Sequence, residues 1–160
     1  MNSQMIRIRA VLMRGGTSKG VILREIDLPN NKAERDKMIL KIFGSPDKRQ
    51  TDGLGGATPL TSKLAIIGPP TTEGAHINYT FGQVSIEKSE IDYKPTCGNL
   101  SSAVGLFAAE EGYVPLQEPI TYVKLFNTNT QKIIEAEIPV KNGEIQYKGD
   151  FKIDGVPPPI

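Results

Sequence analysis

The sequence predicts an α+β domain in which a highly curved mixed sheet of about eight strands wraps around one central apolar helix. Three observations carry that expectation. From Asn99 to Ala109 nearly every side chain is apolar or small, a pattern that leaves no face for water and belongs to a helix enclosed by protein. The other apolar residues fall in short runs, several of them alternating, set apart by turns drawn from 16 glycines and 12 prolines. At 160 residues the chain fits one domain, large enough to bury about two thirds of its unfolded surface without help from a disulfide or metal.

Taken in order, Met5 to Met13 is predicted as a strand, with Ile6 and Ile8 alternating with Arg7 and Arg9 before a wholly apolar end. It stops at Arg14-Gly15-Gly16-Thr17-Ser18-Lys19-Gly20, a loop dense in hydroxyls and N–H groups, and Val21-Ile22-Leu23 returns as a short strand. Asn30 or Asn31 caps a helix from about Lys32 to Phe43, with Met38, Ile39, Ile42 and Phe43 on one face and Gly44 as its stop. This helix is amphipathic and is expected on the surface. Thr51 to Lys63 is too glycine-rich for a helix interior and leads into a strand from Leu64 to Ile67. In Ile77 to Ile86 the inward parity switches around Gly82-Gln83, which predicts a β-bulge. The apolar helix ends at Gly112, and Ile120 to Phe126 is a strand. Ile134, Ala136, Ile138 and Val140 alternate up to Asn142-Gly143, a hairpin signal, with Glu144 to Tyr147 returning. Val156 to Ile160 reads as a linker or a frayed end, and the chain holds no internal repeat or low-complexity tract.

Composition narrows the function classes. With 19 basic and 18 acidic residues the charge is balanced, which gives no reason to expect a nucleic-acid partner or an anionic membrane surface. No apolar run reaches the roughly 18 residues of a membrane span. The single cysteine cannot form an internal disulfide, and no apolar signal segment opens the chain, so a cytoplasmic location is expected. One histidine and one cysteine make a zinc site built from nitrogen and sulfur improbable.

The chemistry centres on Cys97, placed immediately before the buried helix. Unpaired N–H groups and the macrodipole at a helix start favour an anion, whether a thiolate or a substrate carboxylate. The same position also suits a buried structural cysteine. Thr-Ser-Lys occurs twice, at Thr17-Ser18-Lys19 and Thr61-Ser62-Lys63, each time closing a glycine-rich loop. Hydroxyls and an ammonium at such junctions suit capture of carboxylates, and an amine at the margin of a core can act as a base, although a loop lysine is more often a solvated charge. Together these groups fit proton abstraction next to a carboxylate without metal or organic cofactor. Other motifs are weak. Gly15 to Gly20 lacks the spacing of a phosphate loop, and Gly53 to Thr58 misses a glycine of the dinucleotide fingerprint. Ser-x-x-Lys occurs at Ser45 and Ser85 without its companion motifs, and His76 reads as an ordinary surface or strand histidine.

Three stretches, Met13 to Gly20, Asp52 to Lys63 and Cys97 to Ala103, taken in that order, resemble the PrpF family, which includes 2-methylaconitate isomerase, methylitaconate delta-isomerase and 4-oxalomesaconate tautomerase. The resemblance spans almost the whole chain and implies the diaminopimelate epimerase-like fold, in which each of two similar domains wraps a sheet around a central helix. It implies a cofactor-independent isomerase of unsaturated di- or tricarboxylates that works by an allylic proton shift. Lys63 and Cys97 match the family's catalytic positions. Thr17, Ser18, Lys19 and Ser62, with the N–H groups of Gly98 and Asn99, match carboxylate-binding parts. Residues 1–160 correspond to the first of the family's two domains, so two copies are expected to pair through the exposed cleft face. The alternatives are a non-catalytic carboxylate-binding or assembly module and a cysteine-based amino-acid racemase.

Overall fold

A computed structural model describes residues 5–150, 152–155 and 157. Among the described residues eight strands form: β1 (Ala10–Gly15), β2 (Ser18–Arg24), β3 (Lys63–Gly68), β4 (Ile77–Val84), β5 (Ile91–Asp92), β6 (Ile120–Asn127), β7 (Lys132–Lys141) and β8 (Glu144–Ile145). Two α-helices join them, α1 (Lys32–Phe43) in the crossover from β2 to β3, and α2 (Gly98–Glu110) between β5 and β6. The sheet order is β1-β2-β3-β4-β6-β7-β8, with β5 on the end of β4. The β2–β3 and β4–β6 pairs are parallel and the rest antiparallel, so the sheet is mixed.

The sheet curls around α2, which packs against β1 and β2 near one edge and β6 and β7 near the other. Leu100, Ala103, Val104, Phe107 and Ala108 of α2 meet Ile22, Ala65, Ile67, Tyr79, Phe81, Val123 and Leu125 in one core. Burying each of Leu100, Val104 and Phe107 contributes roughly 1.5–3 kcal/mol of transfer free energy, which is why a run with no polar face is stable here. Helix and sheet also approach closely at Gly105, where a Cβ would overlap that of Ala136 on β7.

A second core lies on the convex side, where Ile39 and Phe43 of α1 pack with Leu28 on Val21, Leu23, Leu64, Ile66 and Val84. Asn31 caps α1 by accepting from the Glu34 N–H at 3.1 Å, and Gly44 closes it in the left-handed region at φ 77°. Although α1 is amphipathic as expected, Ile39 and Phe43 are wholly buried, because α1 is the layer that covers the outer face of β2 to β4. Every residue of β3 is therefore buried, as in a strand covered on both faces.

Three expectations change. The first strand begins at Ala10 rather than Met5, and Met5 and Ile6 are exposed, so the alternation at Ile6 to Arg9 marks an approach to the sheet rather than a strand. The second strand starts at Ser18. No bulge interrupts β4: Lys63 to Gly68 pair one-to-one with Gln83 to Asn78. The apolar residues change phase because Ile77, Tyr79 and Phe81 enter the core around α2 while Val84 enters the core under α1. The Asn142-Gly143 hairpin forms with both residues at positive φ, 56° and 74°, and its return strand is Glu144–Ile145. Of the stretch Val156 to Ile160, only Pro157 lies within the described residues.

Candidate functional site

The first and third of the three matched stretches meet at the N-terminal end of α2, and the second ends in Lys63 on the strand beside the hairpin. Strands β1 and β2 are joined by a two-residue turn, Gly16-Thr17, with Gly16 at φ 50°, the left-handed region that suits glycine at the first position of a tight hairpin. The hairpin tip lies directly on the first turn of α2. A Cβ at Gly15 would overlap the carbonyl oxygen of Asn99, and one at Gly16 would crowd the Asn99 side chain, so two glycines make this contact possible. Two side-chain bridges span it. The Asn99 amide donates to Thr17 Oγ1 at 2.7 Å, and Ser18 Oγ lies 3.7 Å from Cys97 Sγ.

Cys97 is the N-cap of α2, and its side chain makes no capping bond, so the first N–H groups of the helix, those of Gly98 and Asn99, keep their donors free of any intrahelical acceptor. Gly98 and Asn99 are exposed and Cys97 is half-buried. Ser101 fastens the turn, giving both its N–H at 3.1 Å and its hydroxyl at 3.0 Å to the Cys97 carbonyl. The result is a sulfur, a hydroxyl and the positive end of a helix gathered at one point.

Lys63 belongs to the same concave face. On β2, Ser18, Gly20 and Ile22 share one parity, and Ile22 packs in the core around α2. Gly20 stands opposite Lys63 in the parallel β2–β3 register, with the Leu100 side chain seated over it. Lys63 is 9% exposed, with its ammonium 5.5 Å from the Phe81 ring centroid and bonded to Gln83 Oε1 at 2.9 Å.

Two predicted contacts lie elsewhere. Lys19 has the opposite parity and extends toward Gly56 of the second loop, on the convex side of the sheet. Ser62 is fully buried, donating to the Val84 carbonyl at 3.0 Å and accepting from Gln50 Nε2 at 2.8 Å, so its hydroxyl braces the loop beneath Lys63. His76 is exposed and accepts the Lys124 N–H on Nδ1 at 2.9 Å, in keeping with an ordinary strand-edge histidine.

Sequence reasoning missed two glutamines. Gln50, 1% exposed, binds the Ser45 and Ser62 hydroxyls through Nε2 and the Ala57 N–H through Oε1, and so ties down the glycine-rich loop. Gln83 holds Lys63. The available signal was its parity, since Gln83 follows Tyr79 and Phe81 on the inward face of β4. Among the described residues no group of histidine, cysteine and carboxylates could hold a metal ion, and no helix is long and apolar enough to cross a membrane.

Comparison with known proteins matches this architecture. A 3-methylitaconate isomerase from Eubacterium barkeri is 56% identical over 155 residues, covering 97% of this chain and 41% of its own. A 4-oxalomesaconate tautomerase from Pseudomonas putida is 46% identical over 151 residues, covering 94% of this chain and 42% of its own. The crystal structure of a methylitaconate-delta-isomerase superposes with a TM-score of 0.92 at 55% identity, over 96% of this chain and 40% of that one. A structure described as a probable proline racemase from Agrobacterium radiobacter K84 shares the fold alone, with a TM-score of 0.56 at 17% identity over 86% of this chain and 39% of that one. The chain thus spans about two fifths of the length of the relatives it matches. Residues 5–160 match the sequence profile of the PrpF protein family, and the chain belongs to that family.

Proposed function

We propose that this chain carries one wall of the active site of an isomerase that moves a double bond in unsaturated di- or tricarboxylates by an allylic proton shift. The observation that carries the reading is the meeting of Cys97 Sγ and Ser18 Oγ, 3.7 Å apart, at the uncapped start of α2, with Lys63 on the same concave face. The names of the relatives, a 3-methylitaconate isomerase and a 4-oxalomesaconate tautomerase, support the substrate class.

In this reading one substrate carboxylate sits against the Gly98 and Asn99 N–H groups and the Ser18 hydroxyl, where the helix dipole favours negative charge. Lys63 or Cys97 removes a proton from the carbon attached to the double bond. The resulting dienolate spreads its charge onto the carboxylate, and the donors already aimed there stabilise it without reorganising. Return of a proton to a different carbon completes the shift. Ser62 and Lys19 serve the loops that frame this wall.

The test is proton NMR with methylitaconate, cis-aconitate and trans-aconitate in deuterium oxide. Solvent deuterium entering the allylic positions is expected, and its rate should fall at least about 100-fold in Lys63→Ala and in Cys97→Ser. Carboxylate binding without exchange would overturn catalysis by this chain and favour a binding module. Undiminished exchange in both variants would overturn the assigned roles.

A further inference from the structure

The side-chain amide of Gln83 is fully engaged, and every bond it makes serves Lys63 or the loop that delivers it. Its Oε1 accepts from Lys63 Nζ at 2.9 Å, while its Nε2 donates to the carbonyls of Pro59 at 3.0 Å and Ser62 at 3.1 Å. Because both donor protons are committed to carbonyls, the amide cannot flip, and an acceptor must face the lysine. Lys63 and Gln83 are direct partners across the β3–β4 ladder, so the aim of this acceptor is set by backbone register.

The electrostatic surroundings are equally specific. Among the described residues no carboxylate forms an ion pair with Lys63. Asp92, opposite Gln83 on β5, is exposed and accepts the Lys94 N–H at 2.9 Å. On β4 the inward titratable group is the buried Tyr79, and α2 brings Cys97. On β2, Lys19 has the opposite parity, and residues 59–62 are uncharged. The partner of this nearly buried amine is therefore a neutral amide and an aromatic face, where ordinary buried lysines take a carboxylate.

We infer that Gln83 is a positioning residue for Lys63: it fixes the direction of Nζ through a neutral acceptor, leaving the amine able to take up and release a proton toward a substrate on the concave face. This rests on the proposed role of Lys63. When Lys63 accepts a substrate proton, the lone pair on Nζ becomes an N–H bond and the amine becomes an ammonium, while the bond to Gln83 Oε1 persists in both states. Methionine in the same place would keep the length and remove the acceptor, whereas glutamate would lose both donors and set an oxygen against the Pro59 and Ser62 carbonyls. Leucine would keep the bulk and remove the aim.

The experiment is NMR of the protein labelled with ¹³C and ¹⁵N in its lysines, with the Lys63 side-chain signals assigned by their loss in Lys63→Arg. In the parent, the Lys63 Nζ–H cross-peak is expected to be held against solvent exchange. In Gln83→Met, which keeps the length but offers no oxygen to the lysine, it should be lost to exchange. In Gln83→Leu the cross-peak should be lost to exchange while the backbone spectrum stays that of the parent. A cross-peak that survives in either variant overturns the inference. If Gln83→Leu does not fold, the unbranched Gln83→Met variant decides alone. Deuterium exchange into methylitaconate by Lys63→Ala separates the underlying reading. Full exchange there refutes Lys63 as the base even if the NMR behaves as stated, whereas lost exchange with unresponsive NMR refutes Gln83 alone.

Discussion

Gly15→Ala adds one methyl group at the contact on which the candidate site depends. The methyl would overlap the Asn99 carbonyl oxygen and come within 3.0 Å of the Asn99 carbonyl carbon and 3.1 Å of Ala103 Cβ. None of these is the end of a flexible side chain, so the hairpin itself must withdraw from α2. Overpacking of this kind costs about 1–3 kcal/mol. Gly15 lies in a strand outside the left-handed region, so alanine is permitted by its backbone and recovers about 0.4–1 kcal/mol through the unfolded chain. The net loss is about 1–2 kcal/mol. With a urea slope of about 2 kcal/mol per molar, the unfolding midpoint should fall by roughly 0.5–1 M with an unchanged slope. Withdrawal also parts the Thr17–Asn99 bond and the Ser18–Cys97 pair, so the reaction of Cys97 with a neutral thiol reagent should change rate. Gly98→Ala is the control: a Cβ there meets open space, and on the first turn of α2 it should leave the midpoint unchanged or raise stability by at most about 1 kcal/mol. A Gly15→Ala protein with the parent's midpoint and the parent's Cys97 reactivity would refute the claim that close contact between hairpin and helix builds the site.

Tyr79 is wholly buried, and among the described residues its hydroxyl has no hydrogen-bond partner. Burial raises its ionisation well above the ordinary phenol range. Below about pH 10 both folded and unfolded states hold the proton; above it the unfolded chain releases the proton first, so stability falls as pH rises. Tyr79→Phe should therefore raise stability by up to about 1 kcal/mol at neutral pH and lessen the alkaline loss, read from urea midpoints across pH. Tyr93, raised by burial and then by its bond to Asp36, keeps part of that loss, and an alkaline profile identical to the parent's would count against the assignment. Gln50→Leu breaks three bonds, to Ser45, Ser62 and the Ala57 N–H. At about 0.5–1.5 kcal/mol each, the loss should be roughly 2–4 kcal/mol, or roughly 5–15 °C in Tm, and a Tm within 2 °C of the parent would refute the bracing role.

By itself the sequence determined the parts whose causes are local. The apolar run from Asn99 to Ala109 could only be an enclosed helix, Asn31 and Gly44 bound α1, and Asn142-Gly143 makes a hairpin through its positive φ angles. The three motifs in their order carried the resemblance to the family whose profile the chain matches. Tertiary structure alone decided which side each residue serves. One-residue alternation puts Ser18 beside Cys97 and Lys19 on the other face, a distinction that depends on which face of the sheet is concave. The phase change in β4 looked like a bulge because the sequence does not reveal that α1 covers the second face, where Val84 is also buried. Gln50 carried no signal in the sequence and Gln83 only its parity, for a related reason. An amide becomes a clamp only when partners from distant segments converge on it, and those partners, Ser62 and Ala57 for one and Lys63 and Pro59 for the other, are set by strand register and loop closure, which no local pattern encodes.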